Sequence, residues 1–191
     1  MEWFPGYNYI LASKSPRRQE LLHNLGLPFE IRIKEAEENF PEDLNKEQIP
    51  VYLAQTKAAP FYKDLNENDL LITADTIVWL EGKVLGKPAN STEAKQMLQS
   101  LSGREHQVIS GVCLTSKNKQ KSFYAVSNVQ FKVLTDHEID FYVSQFKPFD
   151  KAGAYGIQEW IGAIGIIHIE GSFYNVMGLP VQRLYEEIQK F

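Results

Sequence analysis

The apolar segment LLITADTIVWL, residues 70–80, is the feature that most restricts how this chain can fold. It is followed by the turn residues Glu81 and Gly82 and by a short apolar return at residues 83–85. A long apolar run that ends at turn residues is typical of a buried strand. The whole segment therefore predicts a β-hairpin whose first strand lies inside the protein.

Asp75 is the one charge in that predicted strand. Aspartate is disfavoured inside strands, and a buried carboxylate without a partner is costly. We therefore expect Asp75 to face a metal ion or a positively charged substrate complex. The alternative is a structural aspartate at the end of the strand that bonds to a local turn.

The remaining patterns alternate between helix and strand. Strands are predicted at residues 9–12, 28–33, 106–115 and 123–133, with a second hairpin at 163–169 and 172–176 around Glu170-Gly171. Helices are predicted after the Ser15-Pro16 start, at about 50–62, after Asn90, after the capping box of residues 135–138, and after Pro180. The interleaving predicts one α/β domain over residues 1–191, with a mixed twisted sheet and flanking helices.

The segment SKSPRR, residues 13–18, puts two arginines where an apolar strand meets a helix start. Helix N-termini favour negative charge, and their free N–H groups bind anions. Serine hydroxyls and guanidinium groups at the same place can hold a phosphate through charge-assisted hydrogen bonds. The alternative is that the arginines are surface residues and Ser15 is only a helix cap.

Composition excludes several classes of function. The net charge is −4, from 20 basic and 24 acidic side chains, which is unfavourable for a broad nucleic-acid-binding surface. Cys113 is the single cysteine, so no intrachain disulfide forms and a reducing, cytoplasmic location is expected. The first residues are a poor match to a secretory signal, and no apolar segment is long enough to predict a membrane span.

Other motifs are weak. The segment GKVLGKP, residues 82–88, has three residues between its glycines and lacks the Ser or Thr of a phosphate-binding P-loop, although Lys87 can still contact phosphate. No two histidines have zinc-ligand spacing, so all are expected to be structural or at the surface: His23, His106, His137 and His168.

Six segments in order resemble the Maf family of nucleoside triphosphate pyrophosphatases (septum-formation-inhibitor-like proteins). They are LASKSPRRQELL, the segment 54–58, ADTIVWLEGKVLGKP, LSGREHQVISGV, DKAGAYGIQ and GSFYNVMGLPV. The resemblance extends from residue 11 to about residue 181. It implies an α/β fold with a mixed sheet divided into two lobes around a central cleft, as in the inosine triphosphatase-like proteins.

The resemblance also implies cleavage of dTTP and UTP between the α- and β-phosphates, with a divalent cation such as Mg²⁺ or Mn²⁺, and leaves modified pyrimidine nucleotides open as further substrates. In this family the matching positions have assigned roles: catalytic base, Asp75; substrate specificity, Arg17, Thr76 and Gln158; phosphate binding, Ser13, Arg17, Arg18, Lys57 and Lys87; metal binding, Glu37 and Asp75. Glu159-Trp160 departs from the glycine usual after this motif, which leaves the nucleobase preference open. A cytoplasmic homodimer is expected by the same likeness.

The charges agree with a triphosphate substrate. A nucleoside triphosphate has about four negative charges, partly neutralised by Mg²⁺, and the predicted cations can balance the rest. Two other classes of function remain open. A nucleotide-binding regulator of cell division would bind the triphosphate without hydrolysis, and a nucleic-acid-binding module is disfavoured by the acidic balance.

Overall fold

A computed structural model describes residues 4–191, so the first three residues of the predicted domain lie outside the described part. The strands are β1 Asn8–Leu11, β2 Phe29–Ile31, β3 Asp69–Leu80, β4 Lys83–Leu85, β5 Glu105–Thr115, β6 Gln120–Phe131 and β7 Ile166–Glu170. The helices are α1 Pro16–Asn24, α2 Gln48–Ala58, α3 Ser91–Leu101, α4 Asp136–Phe146, α5 Trp160–Gly165, α6 Phe173–Met177 and α7 Val181–Gln189.

The strands form one mixed sheet in the order β2-β1-β3-β5-β6-β7, with β4 paired to β3. β1 is parallel to both β2 and β3, whereas β4 is antiparallel to β3 and β7 is antiparallel to β6. The predicted α/β fold with a mixed sheet and flanking helices is therefore confirmed.

The described chain divides into two compact units. The first unit contains the residues up to Thr76, Ser110–Ala125 and Gly178–Phe191, and the second contains Ile77–Ile109 and Val126–Met177. Strands β3, β5 and β6 each contribute residues to both units.

Each unit has its own apolar core. In the first unit, Ile10 and Leu71 of neighbouring strands pack with Ala54 of α2 and with Phe61. In the second unit, the core is built from α3, α4 and the sheet, with Leu98, Phe131 and Tyr142 fully buried.

Helix α2 is fixed to the sheet by a hydrogen bond and by close packing. The Thr73 hydroxyl of β3 donates to the Ala54 carbonyl at 2.7 Å. Gly111 of β5 lies under the start of the helix, where a β-carbon would come within 2.3 Å of the Pro50 and Val51 backbone. These contacts set the direction in which α2 presents Lys57 in its last turn.

Local patterns placed most elements correctly. The capping box of α4 is present, with the Thr135 hydroxyl accepting from the Glu138 N–H at 3.2 Å and the Glu138 carboxylate accepting from the Thr135 N–H at 2.8 Å. Asn90 caps α3 by accepting from the Glu93 N–H at 3.0 Å.

The second predicted hairpin is wrong in its returning half. Residues 173–177 form helix α6, and β7 pairs with β6 instead. The Ser172 hydroxyl accepts a hydrogen bond from the Asn175 N–H at 3.3 Å, which favours a helical turn. The buried Asn175 amide then donates to the Val108 carbonyl at 3.1 Å and to the Ser127 hydroxyl at 3.0 Å.

Candidate active site

Asp75 lies inside β3 with a cationic partner. The Lys57 ammonium, which reaches it from α2, donates to the Asp75 Oδ1 at 2.5 Å. Both side chains are mostly buried, with 15% and 18% of their surfaces exposed. Asp75 is not at a strand end, so the alternative of a strand-end aspartate bonded to a local turn is wrong.

A second carboxylate shares the same lysine. Glu38 Oε1 lies 3.0 Å from the Lys57 Nζ, and the Glu38 side chain is 56% exposed. The sequence prediction chose the neighbouring Glu37, which is exposed in the same acidic loop. The acidic loop holds several carboxylates, and no pattern in the sequence distinguishes the one that reaches Lys57.

Arg18 braces the two residues that flank Asp75. Its guanidinium donates from Nη1 to the Ala74 carbonyl at 2.8 Å, from Nη2 to the Thr76 hydroxyl at 3.1 Å, and from Nε to the Gly178 carbonyl at 2.9 Å. Burial lowers the pKa of Arg18, and the nearby Asp75 carboxylate opposes this shift. Because a guanidinium has five N–H donors, at most two remain for the predicted phosphate contact.

Thr76 is held in a small polar cluster. Its hydroxyl lies 2.8 Å from the Ser110 hydroxyl and 3.2 Å from the Gly178 carbonyl. Sequence analysis missed Ser110 and Gly178, although Ser110 is a polar residue inside a buried strand, as Asp75 is. The cluster fixes the side chain that is predicted to contribute to substrate choice.

The start of α1 has the features of an anion site. Ser15 occupies the N-cap position, but its side chain makes no capping hydrogen bond, and the first turn has no acidic residue. The buried Ser13 hydroxyl instead accepts from the Ser15 N–H at 3.2 Å. Arg17 is half-buried on the first turn. A positive helix end next to arginine attracts a phosphate.

The second unit carries the other two predicted site residues. Lys87 is exposed after β4, and the carbonyl of the preceding Gly86 accepts from the Gly153 N–H at 3.0 Å. Gln158 is exposed, whereas residues 153–157 are all buried. The hydrogen bond joins the segment that carries Lys87 to the segment that carries Gln158.

Glu159 and Trp160, which follow Gln158, both contact α4. Glu159 accepts a short hydrogen bond from the Tyr142 hydroxyl. The Trp160 ring packs edge-on against Phe141 with 4.8 Å between ring centroids.

Histidine and cysteine do not form a metal site in the described residues. His106 is buried against Tyr155, with its Nε2 2.7 Å from the tyrosine hydroxyl, so this histidine is structural as predicted. Within residues 4–191 no group of three or more His, Cys, Asp or Glu side chains is arranged to hold a metal ion. In the same part of the chain, no helix has both the length and the apolar character needed to cross a membrane.

Comparisons of three kinds with known proteins each match nearly the whole chain. A family model described as "Maf-like protein" matches residues 8–191. The chain is 56% identical over 185 residues to a dTTP/UTP pyrophosphatase of Phocaeicola vulgatus and 54% identical over 185 residues to one of Bacteroides thetaiotaomicron, with 96% of each chain covered. The Staphylococcus aureus Ham1 protein has the same fold, with a TM-score of 0.54 at 13% identity over 96% of this chain and 98% of that one.

Proposed function

Because the chain belongs to the family of Maf-like proteins, as its motifs predicted, we propose that it hydrolyses dTTP and UTP to the nucleoside monophosphate and pyrophosphate. The observation that carries this proposal is the Asp75 carboxylate inside β3, held by Lys57 and flanked by the residues that Arg18 braces. The bacterial relatives named dTTP/UTP pyrophosphatases support the choice of substrates.

In the proposed reaction, Asp75 accepts a proton from a water molecule whose oxygen forms a bond to the α-phosphorus. The bond between the α-phosphorus and the α,β-bridging oxygen breaks, and its electron pair leaves with pyrophosphate. Lys57 and Arg17 stabilise the negative charge that develops on the leaving group. Ser13 and the start of α1 supply neutral donors, and Lys87 is a further cation predicted to contact phosphate.

A divalent cation, Mg²⁺ or Mn²⁺, fits the oxygen-rich chemistry of this site. Mg²⁺ typically binds through one or two carboxylates together with substrate phosphates. Asp75 and Glu38 are two carboxylates that already share one cationic partner, Lys57. We propose that these two side chains, with Glu37 as the neighbouring alternative, hold the ion. The ion would neutralise phosphate charge and favour ionisation of water.

Base selection is proposed to come from Gln158, Thr76 and Arg17. An amide side chain both donates and accepts hydrogen bonds, so Gln158 can pair with the polar edge of a pyrimidine. A site built around such bonds discriminates strongly against a base that leaves them unpaired.

The test is a panel of standard and modified triphosphates, with pyrophosphate and orthophosphate measured separately. The wild-type protein should release pyrophosphate from UTP, dTTP and modified pyrimidine nucleotides, while Asp75→Asn should bind nucleotide but lose turnover. Asp64→Asn is a matched control, because Asp64 is also paired with a lysine, Lys34, but at the exposed surface. Release of orthophosphate alone, or near-wild-type kcat in Asp75→Asn, would contradict the proposal.

A cytoplasmic homodimer is proposed as the form in which the enzyme acts. A reducing compartment agrees with the single, buried Cys113. Light scattering on the purified chain and fractionation of cells test the two parts separately. A monomer at micromolar concentration or recovery with membranes would contradict them.

A further inference from the structure

Gln158 is presented by a segment, residues 151–159, most of whose residues are buried. Residues 153–157 are buried and Gln158 is exposed. A side chain that reads a base must be held at a fixed place, because small displacements cost rate and affinity. The contacts that hold this segment therefore bear on substrate choice.

One of these contacts is made by Glu159, the residue next to Gln158. Its carboxylate accepts the short hydrogen bond from Tyr142 of α4 and lies 3.0 Å from the Lys151 Nζ. The Glu159 side chain is 20% exposed, that of Lys151 is 9% exposed, and Tyr142 is fully buried. Lys151 also pairs with Asp150 at 2.8 Å.

Tyr142 completes a closed loop of hydrogen bonds. Its oxygen accepts from the Gly156 N–H at 3.1 Å while its O–H donates to Glu159. Burial raises the pKa of Tyr142, and so does the bond to Glu159, so the hydroxyl keeps the proton that it donates. One tyrosine of α4 therefore ties two points of the segment, on either side of Ile157 and Gln158.

Packing leaves little space for this segment to move. A β-carbon on Gly156 would lie 2.9 Å from the Glu159 carboxyl carbon and 3.1 Å from the Lys151 side chain. A β-carbon on Gly162 of α5 would lie 1.9 Å from the Ile157 carbonyl oxygen. The segment is thus held by α4 through hydrogen bonds and by α5 through contact with its backbone.

We propose that Glu159 is a positioning residue for nucleobase selection, which acts by fixing Gln158 through its bonds to Tyr142 and Lys151. The inference rests on the proposed pyrimidine triphosphatase activity, in which Gln158 contacts the base. Glu159 does not itself touch the substrate in this role.

The experiment compares Glu159→Ala, Glu159→Gln and Tyr142→Phe with the wild-type enzyme on UTP, dTTP and GTP. The anchor is the hydrogen bond between Glu159 and Tyr142. Its loss should raise KM for the pyrimidine triphosphates on the order of tenfold while kcat stays within about twofold. The pyrimidine-to-purine ratio of kcat/KM should fall by a similar factor. Glu159→Gln keeps an acceptor for Tyr142 and should retain more selectivity than Glu159→Ala.

Glu138→Gln is the matched control. Glu138 lies at the start of the same helix as Tyr142 and pairs with Lys132 at 2.6 Å, so its loss weakens α4 without touching the anchor. This variant should have a lower Tm and an unchanged pyrimidine-to-purine ratio. Gly156→Ala is a second probe, because its methyl group would push the Glu159 carboxylate out of its bonds and would keep its charge.

A double-mutant cycle identifies the route of the effect. In a Gln158→Ala background, Tyr142→Phe should no longer change the ratio, since Gln158 transmits the effect. An unchanged ratio in folded Tyr142→Phe and Gly156→Ala, or an equal change in Glu138→Gln, would overturn the inference and leave the proposed function intact. A wild-type protein that releases no pyrophosphate would overturn both.

Discussion

At the scale of single residues, Lys57 sets the charge balance around Asp75. The ammonium contacts two carboxylates, one nearly buried and one at the surface. Its removal leaves the buried carboxylate without the cation that is hydrogen-bonded to it, which is the costly half of breaking an ion pair.

Lys57→Met should therefore lower the free energy of unfolding by about 1–3 kcal/mol and strongly reduce kcat. The same substitution in an Asp75→Asn background should cost less, because no buried charge is then unpaired. Urea unfolding of the wild type, the two single variants and the double variant measures the cost of Lys57→Met in each background. An equal loss of stability in both backgrounds would show that the pair does not stabilise the fold.

Arg18 should not be replaceable by lysine without loss of stability. A lysine keeps the positive charge but cannot donate to the three separate acceptors that the guanidinium serves. Arg18→Lys should lower the free energy of unfolding by about 2 kcal/mol. Lys14→Met, which removes an exposed charge from the same segment, should stay within about 0.5 kcal/mol of the wild type. Wild-type stability of Arg18→Lys would contradict the bracing contacts.

Sequence alone predicted which residue types are present in the first unit's site but not all of their partners. The lone charge in an apolar run pointed to Asp75, and the resemblance to the family pointed to Lys57; their contact is observed, and their catalytic roles stay predictions. Glu38 was missed because its loop has no period that fixes a side-chain direction. The bonds of Arg18 were not predictable because Gly178 is 160 residues away in the chain.

At the scale of elements, α2 connects the sheet to the site. Its start rests on Gly111 of β5, its middle is bonded to Thr73 of β3, and its last turn carries Lys57. A shift at one end of a short rigid helix is transmitted to the other end.

Gly111→Ala should lower the free energy of unfolding by about 3 kcal/mol, because its methyl group meets backbone atoms that cannot turn aside. It should also lower kcat, since α2 moves with Lys57. Gly6→Ala is the control, because nothing lies within 4 Å of its β-carbon. Thermal unfolding of both variants measures the difference in stability. Equal stability of Gly111→Ala and Gly6→Ala would contradict the close packing of α2 against β5.

Elements were predictable where a local signal fixes the start of the element. Helices α3 and α4 have side-chain caps that match their sequence patterns. The strand predicted for residues 172–176 was wrong because the Phe, Tyr and Val residues of this segment favour strands. In the structure, the turn at Ser172 and the buried Asn175 amide outweigh that propensity and give helix α6.

At the scale of the whole molecule, the sheet order and the division into two units depend on contacts far apart in sequence. Interleaved helices and strands predicted the α/β class and a mixed sheet. They did not predict the strand order, because pairing across long connections has no local signature. The two lobes and the cleft implied by the family remain predictions about how the units are arranged.

Global stability should depend on pH through His106, which is buried beside Tyr155. Burial lowers the pKa of His106 from 6.5 to about 4. The unfolded chain therefore binds the proton first as pH falls, so stability present above pH 6.5 is lost progressively down to about pH 4. The loss is on the order of 3 kcal/mol.

The measurement is the difference in urea-unfolding free energy between wild type and His106→Gln from pH 7 to pH 4. This difference should change across that range, because carboxylates common to both proteins cancel. A difference that is independent of pH would show that His106 titrates normally in the folded protein.

The bond from Arg18 to the Gly178 carbonyl has a consequence for biosynthesis. A ribosome makes Arg18 early and Gly178 late, so the nascent chain already contains the complete Asp75 strand while one acceptor of its brace does not yet exist. Arg18 can therefore complete its set of three acceptors only after translation has passed residue 178.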